Sequence, residues 1–127
     1  MKVIKIKEIT KEPVENNPMF TGPVTMQPIV GNVMKPDTGL TKNFAISQVN
    51  FARGVRNKFH THSIEQILIV TKGKGIVATE KEQVTVGPGD VIFIPAGENH
   101  WHGAAPSSTF SHLYVMSPES KTTQVEK

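Results

Sequence analysis

All five histidines of this 127-residue chain lie between His60 and His112, and four of them form two His-x-His pairs, His60/His62 and His100/His102. In an extended strand, residues i and i+2 face the same side, so each pair can aim two imidazoles into one space. Two such strands running antiparallel can bring the pairs together. Neutral imidazole binds divalent Zn, Mn, Fe, Ni and Cu, so a metal ion is the chemistry this cluster suits. A single buried histidine is more often a hydrogen-bonded core residue, and one His-x-His pair arises easily by chance. Two pairs within one short stretch are the stronger signal. The chain has no cysteine, which removes disulfides, thiolate ligands and a cysteine nucleophile from consideration.

The elements that must position these side chains read as strands. Ten glycines and nine prolines punctuate short segments rich in Val, Ile, Phe and Thr, and no stretch of about ten residues carries a helical stripe. The pattern predicts strands at Val24–Val30, Phe44–Ala52, His60–Thr71, Gly75–Glu80, Gln83–Val86, Asp90–Ile94, His100–Gly103 and Thr109–Met116. Many short strands at regular turn spacing point to an all-β sandwich or barrel. Gly73-Lys-Gly75, Gly87-Pro-Gly89 and Pro95 with Gly97 supply the reversals. The length suits one domain, with an N-terminal arm over 1–19, a barrel over 20–116 and a flexible tail over 117–127, which holds no apolar side chain but Val125.

The spacing goes further than the histidines. Gly54, His60, His62, Gln66 and Gly73 are separated by five, one, three and six residues, and Gly89, Pro95, Gly97 and His100 by five, one and two. Both series resemble the two consensus motifs of the cupin superfamily. The resemblance implies a double-stranded β-helix, or jelly roll, with one divalent metal ion inside the barrel near one end. It also implies His60, His62 and His100 as ligands, with the residue at Gln66 as the fourth. The first motif usually carries Glu where Gln66 stands, and the second usually ends with Asn where Ala104 stands. Glu65 is adjacent, but strand alternation turns it away from the face of Gln66, so the amide oxygen of Gln66 is the expected donor. The other reading of Gln66 is a hydrogen bond to water beside a three-histidine site.

His60-Thr-His-Ser-Ile-Glu-Gln-Ile-Leu-Ile-Val-Thr, with His100-Trp-His-Gly-Ala-Ala-Pro and Ser111-His-Leu, resembles a bacterial subgroup of small monocupins. These are often labelled carboxymuconolactone-decarboxylase-like and include manganese-dependent hydroxynitrile lyases. The likeness runs from Phe20-Thr-Gly-Pro-Val and Arg56 to Met116, with departures at Phe59 and Ser63-Ile64-Glu65 near the pocket mouth. It implies manganese first, with iron, nickel or zinc as alternatives, and it places His112 in the cavity as a catalytic base. The competing role for His112 is a barrel-interior histidine bonded to a carbonyl. His102 shares the face of His100 and is either catalytic or structural, and Trp101 points to the opposite face. Arg56 is equally suited to an anionic substrate and to a surface loop.

These residues suit a metal-dependent enzyme acting on a small organic molecule, with lyase-type carbon–carbon cleavage as the leading reaction. The alternatives are a metal-dependent dioxygenase and a non-catalytic metal or small-ligand binding module. The net charge of +3 comes from scattered lysines, and there is no basic stripe interleaved with aromatics, so no nucleic-acid partner is expected. Nothing at the N-terminus has the apolar run of a signal peptide, and no stretch is apolar enough to span a membrane. The expected setting is the cytoplasm. An edge strand at Val3–Ile6 would favour a homodimer or higher homo-oligomer by sheet extension or arm exchange.

Overall fold

Ala45, Ser47, Val49 and Phe51 are buried while the residues between them are partly exposed, the period of two that marks a strand with one face on a core. The computed structural model describes residues 1–31 and 40–127. Among them are a single 3-10 turn at Ile6–Glu8 and eleven strands: β1 Glu12–Pro13, β2 Val24–Val30, β3 Ala45–Phe51, β4 His60–His62, β5 Gln66–Gly73, β6 Gly75–Thr79, β7 Gln83–Val86, β8 Val91–Ile94, β9 His100–Ala104, β10 Phe110–Met116 and β11 Thr122–Gln124. All the pairings are antiparallel, in a six-stranded sheet ordered β1-β2-β3-β10-β5-β8 and a five-stranded sheet ordered β11-β4-β9-β6-β7. The two sheets make a jelly-roll barrel, as the sequence predicts.

The apolar inner faces of β2, β3, β5 and β10 form one core around Leu68 and Phe110, which are 0% and 1% exposed. Full burial of side chains of this size contributes about 1.5–3 kcal/mol each. The crossing from one sheet to the other at Gly73-Lys74-Gly75 depends on its glycines. Gly73 has φ +75°, and a Cβ there would strike the carbonyl of Thr109. At Gly75 a Cβ would overlap the Phe110 ring, so β6 can lie this close to β10 only without a side chain.

Three expectations are modified. His60–Thr71 is two strands and not one: β4 belongs to the five-stranded sheet and β5 to the six-stranded sheet, with Ser63–Glu65 carrying the chain between them. Val3–Ile6 is not a strand; the chain instead enters the 3-10 turn, whose end Gln27 holds by donating to the carbonyls of Ile6 (3.0 Å) and Ile9 (2.9 Å). Beyond Met116, where the sequence suggests only a flexible tail, Thr122–Gln124 pair with β4. Glu126 then accepts two hydrogen bonds from the Arg56 guanidinium, at 2.9 and 3.1 Å, and one from the Phe59 amide at 2.9 Å.

Candidate active site

Strand β4 places His60 directly opposite His100 on β9, so the two His-x-His segments meet in antiparallel register. Their inward side chains, His60, His62, His100 and His102, are all buried. Possible ligand atoms of His60, His62 and His100 lie within 4.8 Å of one another, a spacing that could hold one metal ion. The Nδ1 of His60 is 2.6 Å from the carbonyl of Lys58, and that of His100 is 2.8 Å from the carbonyl of Glu98. A carbonyl only accepts, so both Nδ1 atoms carry the proton and both Nε2 atoms keep a lone pair. The third ring is anchored from the tail, where Thr122 Oγ1 on β11 lies 2.9 Å from His62 Nδ1.

Gln66 opens β5, paired with Ile94 and Met116, and is buried while Glu65 beside it is exposed. Its Nε2 meets the Met116 sulfur at 3.5 Å, which leaves Oε1 free. The buried polar atoms without a hydrogen-bond partner include His62 Nε2, His100 Nε2 and Gln66 Oε1. A buried polar atom without a partner costs about 1–3 kcal/mol. Several lone pairs of this kind at one place suit a cation, and a set of neutral imidazole and amide donors suits a divalent transition metal.

Burial keeps these imidazoles neutral. It lowers His60 to about 3, reinforced by His100, and His62 to about 4, again with His100 adding to it. His100 is lowered by burial, opposed by its contact with the Glu98 carbonyl. A metal ligand must be deprotonated, so this environment removes a competing proton.

His112 sits on β10 in one inward row with Phe110, Tyr114 and Met116 and is 1% exposed. Its Nδ1 lies 3.1 Å from the Leu113 carbonyl and its Nε2 lies 3.0 Å from His102 Nδ1. His102 stands between His112 and the triad, with ring centroids 4.7 Å from His112, 5.7 Å from His60 and 5.8 Å from His100. Burial holds both well below the usual histidine range, His112 at about 4. Phe51 packs against both rings, 5.9 Å from His102 and 5.6 Å from His112.

His60, His62, Gln66, His102 and His112 line a cavity of about 450 Å3 with Phe20, Phe51, Tyr114 and Thr122; among the described residues no Lys, Arg, Asp or Glu lines it. A second cleft of about 500 Å3, between β7 and β8, reaches His100 from the other side. Arg56 lines neither of these and follows the surface reading: outside the strands and partly exposed, its guanidinium is engaged by Glu126 and lies 4.7 Å over the Trp101 ring. Asn57, Thr122 and Gln124 escape a sequence reading because they are single polar residues, brought to the cavity by a loop and by β11. The only sequence signal for Asn57 is its position next to Arg56, within the first motif.

Two antiparallel sheets closed around an inward cluster of imidazoles define a barrel of the double-stranded β-helix class. The Cupin domain family matches residues 47–116, and the chain belongs to the cupin family. It is 41% identical over 98 residues to an (R)-mandelonitrile lyase from Granulicella tundricola, a match that covers 76% of this chain and 70% of that protein. A shorter likeness, 41% over 49 residues, is to an acireductone dioxygenase from Leptospira biflexa and covers 35% of this chain and 28% of that one. Among solved structures, the chain is similar to a cupin-like protein from Thermotoga maritima, with a TM-score of 0.81, 28% identity and coverage of 94% and 89%.

Proposed function

We propose that the protein is a metal-dependent lyase that cleaves a carbon–carbon bond in a small, uncharged hydroxy compound of the cyanohydrin kind. His60, His62, Gln66 and His100 would hold one divalent ion, manganese first, with iron, nickel or zinc as alternatives. The observation that carries this reading is the grouping of three imidazoles able to hold one ion beside a two-imidazole hydrogen-bonded chain, with His60, His62, Gln66, His102 and His112 lining one cavity that has no charged side chain among the described residues. When bound, the ion supplies Lewis-acid polarisation of a substrate oxygen, the stronger because four neutral donors cancel none of its charge.

The chain's own residues would handle the proton. His112 Nδ1 donates to the Leu113 carbonyl, so Nε2 of the neutral ring is its basic nitrogen and takes the Nδ1 proton of His102 as a hydrogen bond. A hydroxyl proton from substrate would enter at the far side of the His102 ring and leave the pair with its charge on His112. The apolar and aromatic walls orient an uncharged substrate and limit water. The likeness to the mandelonitrile lyase supports this reaction class.

A dioxygenase is the second reading, favoured by the acireductone dioxygenase likeness, although this chain spans only 28% of that relative. A non-catalytic binding module is the third. The exposed apolar side chains of Ile67, Val91 and Phe93, neighbours on β5 and β8, support a homo-oligomer.

The test combines elemental analysis of the purified protein with turnover of cyanohydrins, lactones and diketones and with oxygen uptake. Lyase turnover without oxygen uptake is expected. In His112→Ala, metal content should hold while turnover falls by on the order of a hundredfold, the usual scale for losing a positioned acid or base. Loss of metal with His112 would make it a ligand, and no effect on either would leave it a structural residue.

A further inference from the structure

The barrel has an open side. β7 ends the five-stranded sheet and β8 ends the six-stranded sheet, and among the described residues no strand pairs with the outer edge of either. Unpaired backbone N–H and C=O groups along such edges can take up another strand. Between the two edges lies the cleft of about 500 Å3 that reaches His100. Val77, Val84, Ile92 and Ile94 give it an aliphatic wall, Glu82, Asp90 and Glu98 supply carboxylates, and among the described residues no Lys or Arg lines it. Edge strands are commonly blunted by lysine or proline, yet here Val84, Val91 and Phe93 are 46%, 63% and 62% exposed. A groove of this kind fits an extended segment that is both apolar and basic.

The chain carries such a segment in Lys2-Val3-Ile4-Lys5. In an extended strand its alternation puts one aliphatic and one ammonium side chain on each face. Lys2, Val3 and Lys5 are exposed, Val3 to 75%, and Lys5 already has extended backbone, with φ -97° and ψ 108°. The segment cannot lie along β8 of its own chain. It leaves the fold at the Ile6 carbonyl, which accepts from Gln27, and the Gln27 amide also meets Gln48, so this point lies beside β2 and β3. β10 and β5 stand between there and β8, a crossing of about 14 Å at the usual strand spacing. Four extended residues span about 13 Å, and pairing with the four residues Val91–Ile94 would use all of that length.

We propose that the Lys2–Lys5 segment of one copy of this chain lies along β8 of a second copy, as an added strand in the β7–β8 cleft, and that the exchange is reciprocal. Its aliphatic side chains meet the apolar wall, and its ammonium groups meet Glu82, Asp90 and Glu98, which are exposed at the rim. Two arms fill two clefts, so the assembly closes as a two-fold dimer. This contact rests on neither the metal nor the reaction proposed above. Under that reading it has a consequence for the site: the opening that reaches His100 between β7 and β8 is closed by the second copy, so the site is fully enclosed only in the dimer.

The test is sedimentation velocity of the full chain over a range of concentrations, where wild type should form a dimer. Lys2→Glu with Lys5→Glu should raise the dimer Kd by on the order of tenfold or more, and Glu82→Lys with Glu98→Lys should do the same, because each pair sets like charges face to face. Mixed in equal amounts, the two double variants should dimerise again, since each arm then finds a cleft of opposite charge. A variant that had merely unfolded would not be rescued in this way. The chain has no cysteine, so cross-linking reads the contact directly. Val3→Cys and Ile4→Cys lie on opposite faces of the arm, and one of them, mixed with Val84→Cys and oxidised, should give a two-chain product that neither variant gives alone. A wild type monomeric at every concentration, a dimer indifferent to both charge reversals, or no cross-linked product would each overturn the proposal. A single chain carrying both cysteines that closes on itself would do so too, by giving the cleft to its own arm. No turnover is read, so these outcomes are independent of the lyase.

Discussion

Thr122 on β11 holds His62 on β4: its hydroxyl lies 2.9 Å from Nδ1 of the imidazole, the nitrogen opposite the Nε2 that has no partner. The hydroxyl, able to accept from Nδ1 or donate to it, fixes the ring's rotation. A residue 60 positions away in sequence thus orients one arm of the triad, in the manner of outer hydrogen-bond partners that orient metal-bound histidines.

Thr122→Val should leave the barrel folded and reduce metal affinity by about 10- to 100-fold, the usual loss when such a partner is removed. Competition titration against a chromophoric chelator reads the change directly. Undiminished affinity would mean that β4 alone holds His62, with β11 only packed beside it.

Replacing Gln66 by Glu tests why a neutral amide stands at this position. A carboxylate in place of Oε1 should keep or tighten the metal, because its charge adds to the attraction. Turnover should fall as that same charge weakens the ion's pull on a substrate oxygen. Tighter metal with unchanged turnover would refute this account of the amide.

Acidification should destabilise the metal-free protein over a defined window. His60, His62 and His112 ionise at about 3 to 4 in the fold, against 6.5 when unperturbed. Between these values the unfolded chain binds more protons than the folded one, so stability rises with pH through the window and levels off above it. The midpoint of thermal unfolding should therefore be flat above about pH 6.5 and fall steadily toward pH 4, with His112→Phe showing a shallower fall. A midpoint independent of pH across that interval would mean that the rings are not held neutral by burial.

The local pattern of the chain was enough for short strands in an all-β fold and, with the resemblance in motif spacing, for the barrel and for the six residues His60, His62, Gln66, His100, His102 and His112 that gather inside it. Alternation along Ala45–Phe51 sorts side chains between core and solvent, and the spacing of His60, His62, Gln66 and His100 survives folding because a strand repeats every two residues. Other relationships depend on contacts between distant segments. The break between β4 and β5 is invisible to periodicity, since both halves keep the same alternation and only the change of sheet at Ser63–Glu65 separates them. The tail has almost no apolar content to signal a strand; β11 forms from backbone pairing with β4 and from the Arg56–Glu126 ion pair. Arg56, equally suited by sequence to substrate or surface, is drawn to Glu126 and Trp101. Asn57 has no motif of its own, and only the close approach at Gly103 sets its amide against His102. A hydrogen bond is a property of a pair of atoms, so the one between His102 and His112 emerges only when β9 and β10 have come together.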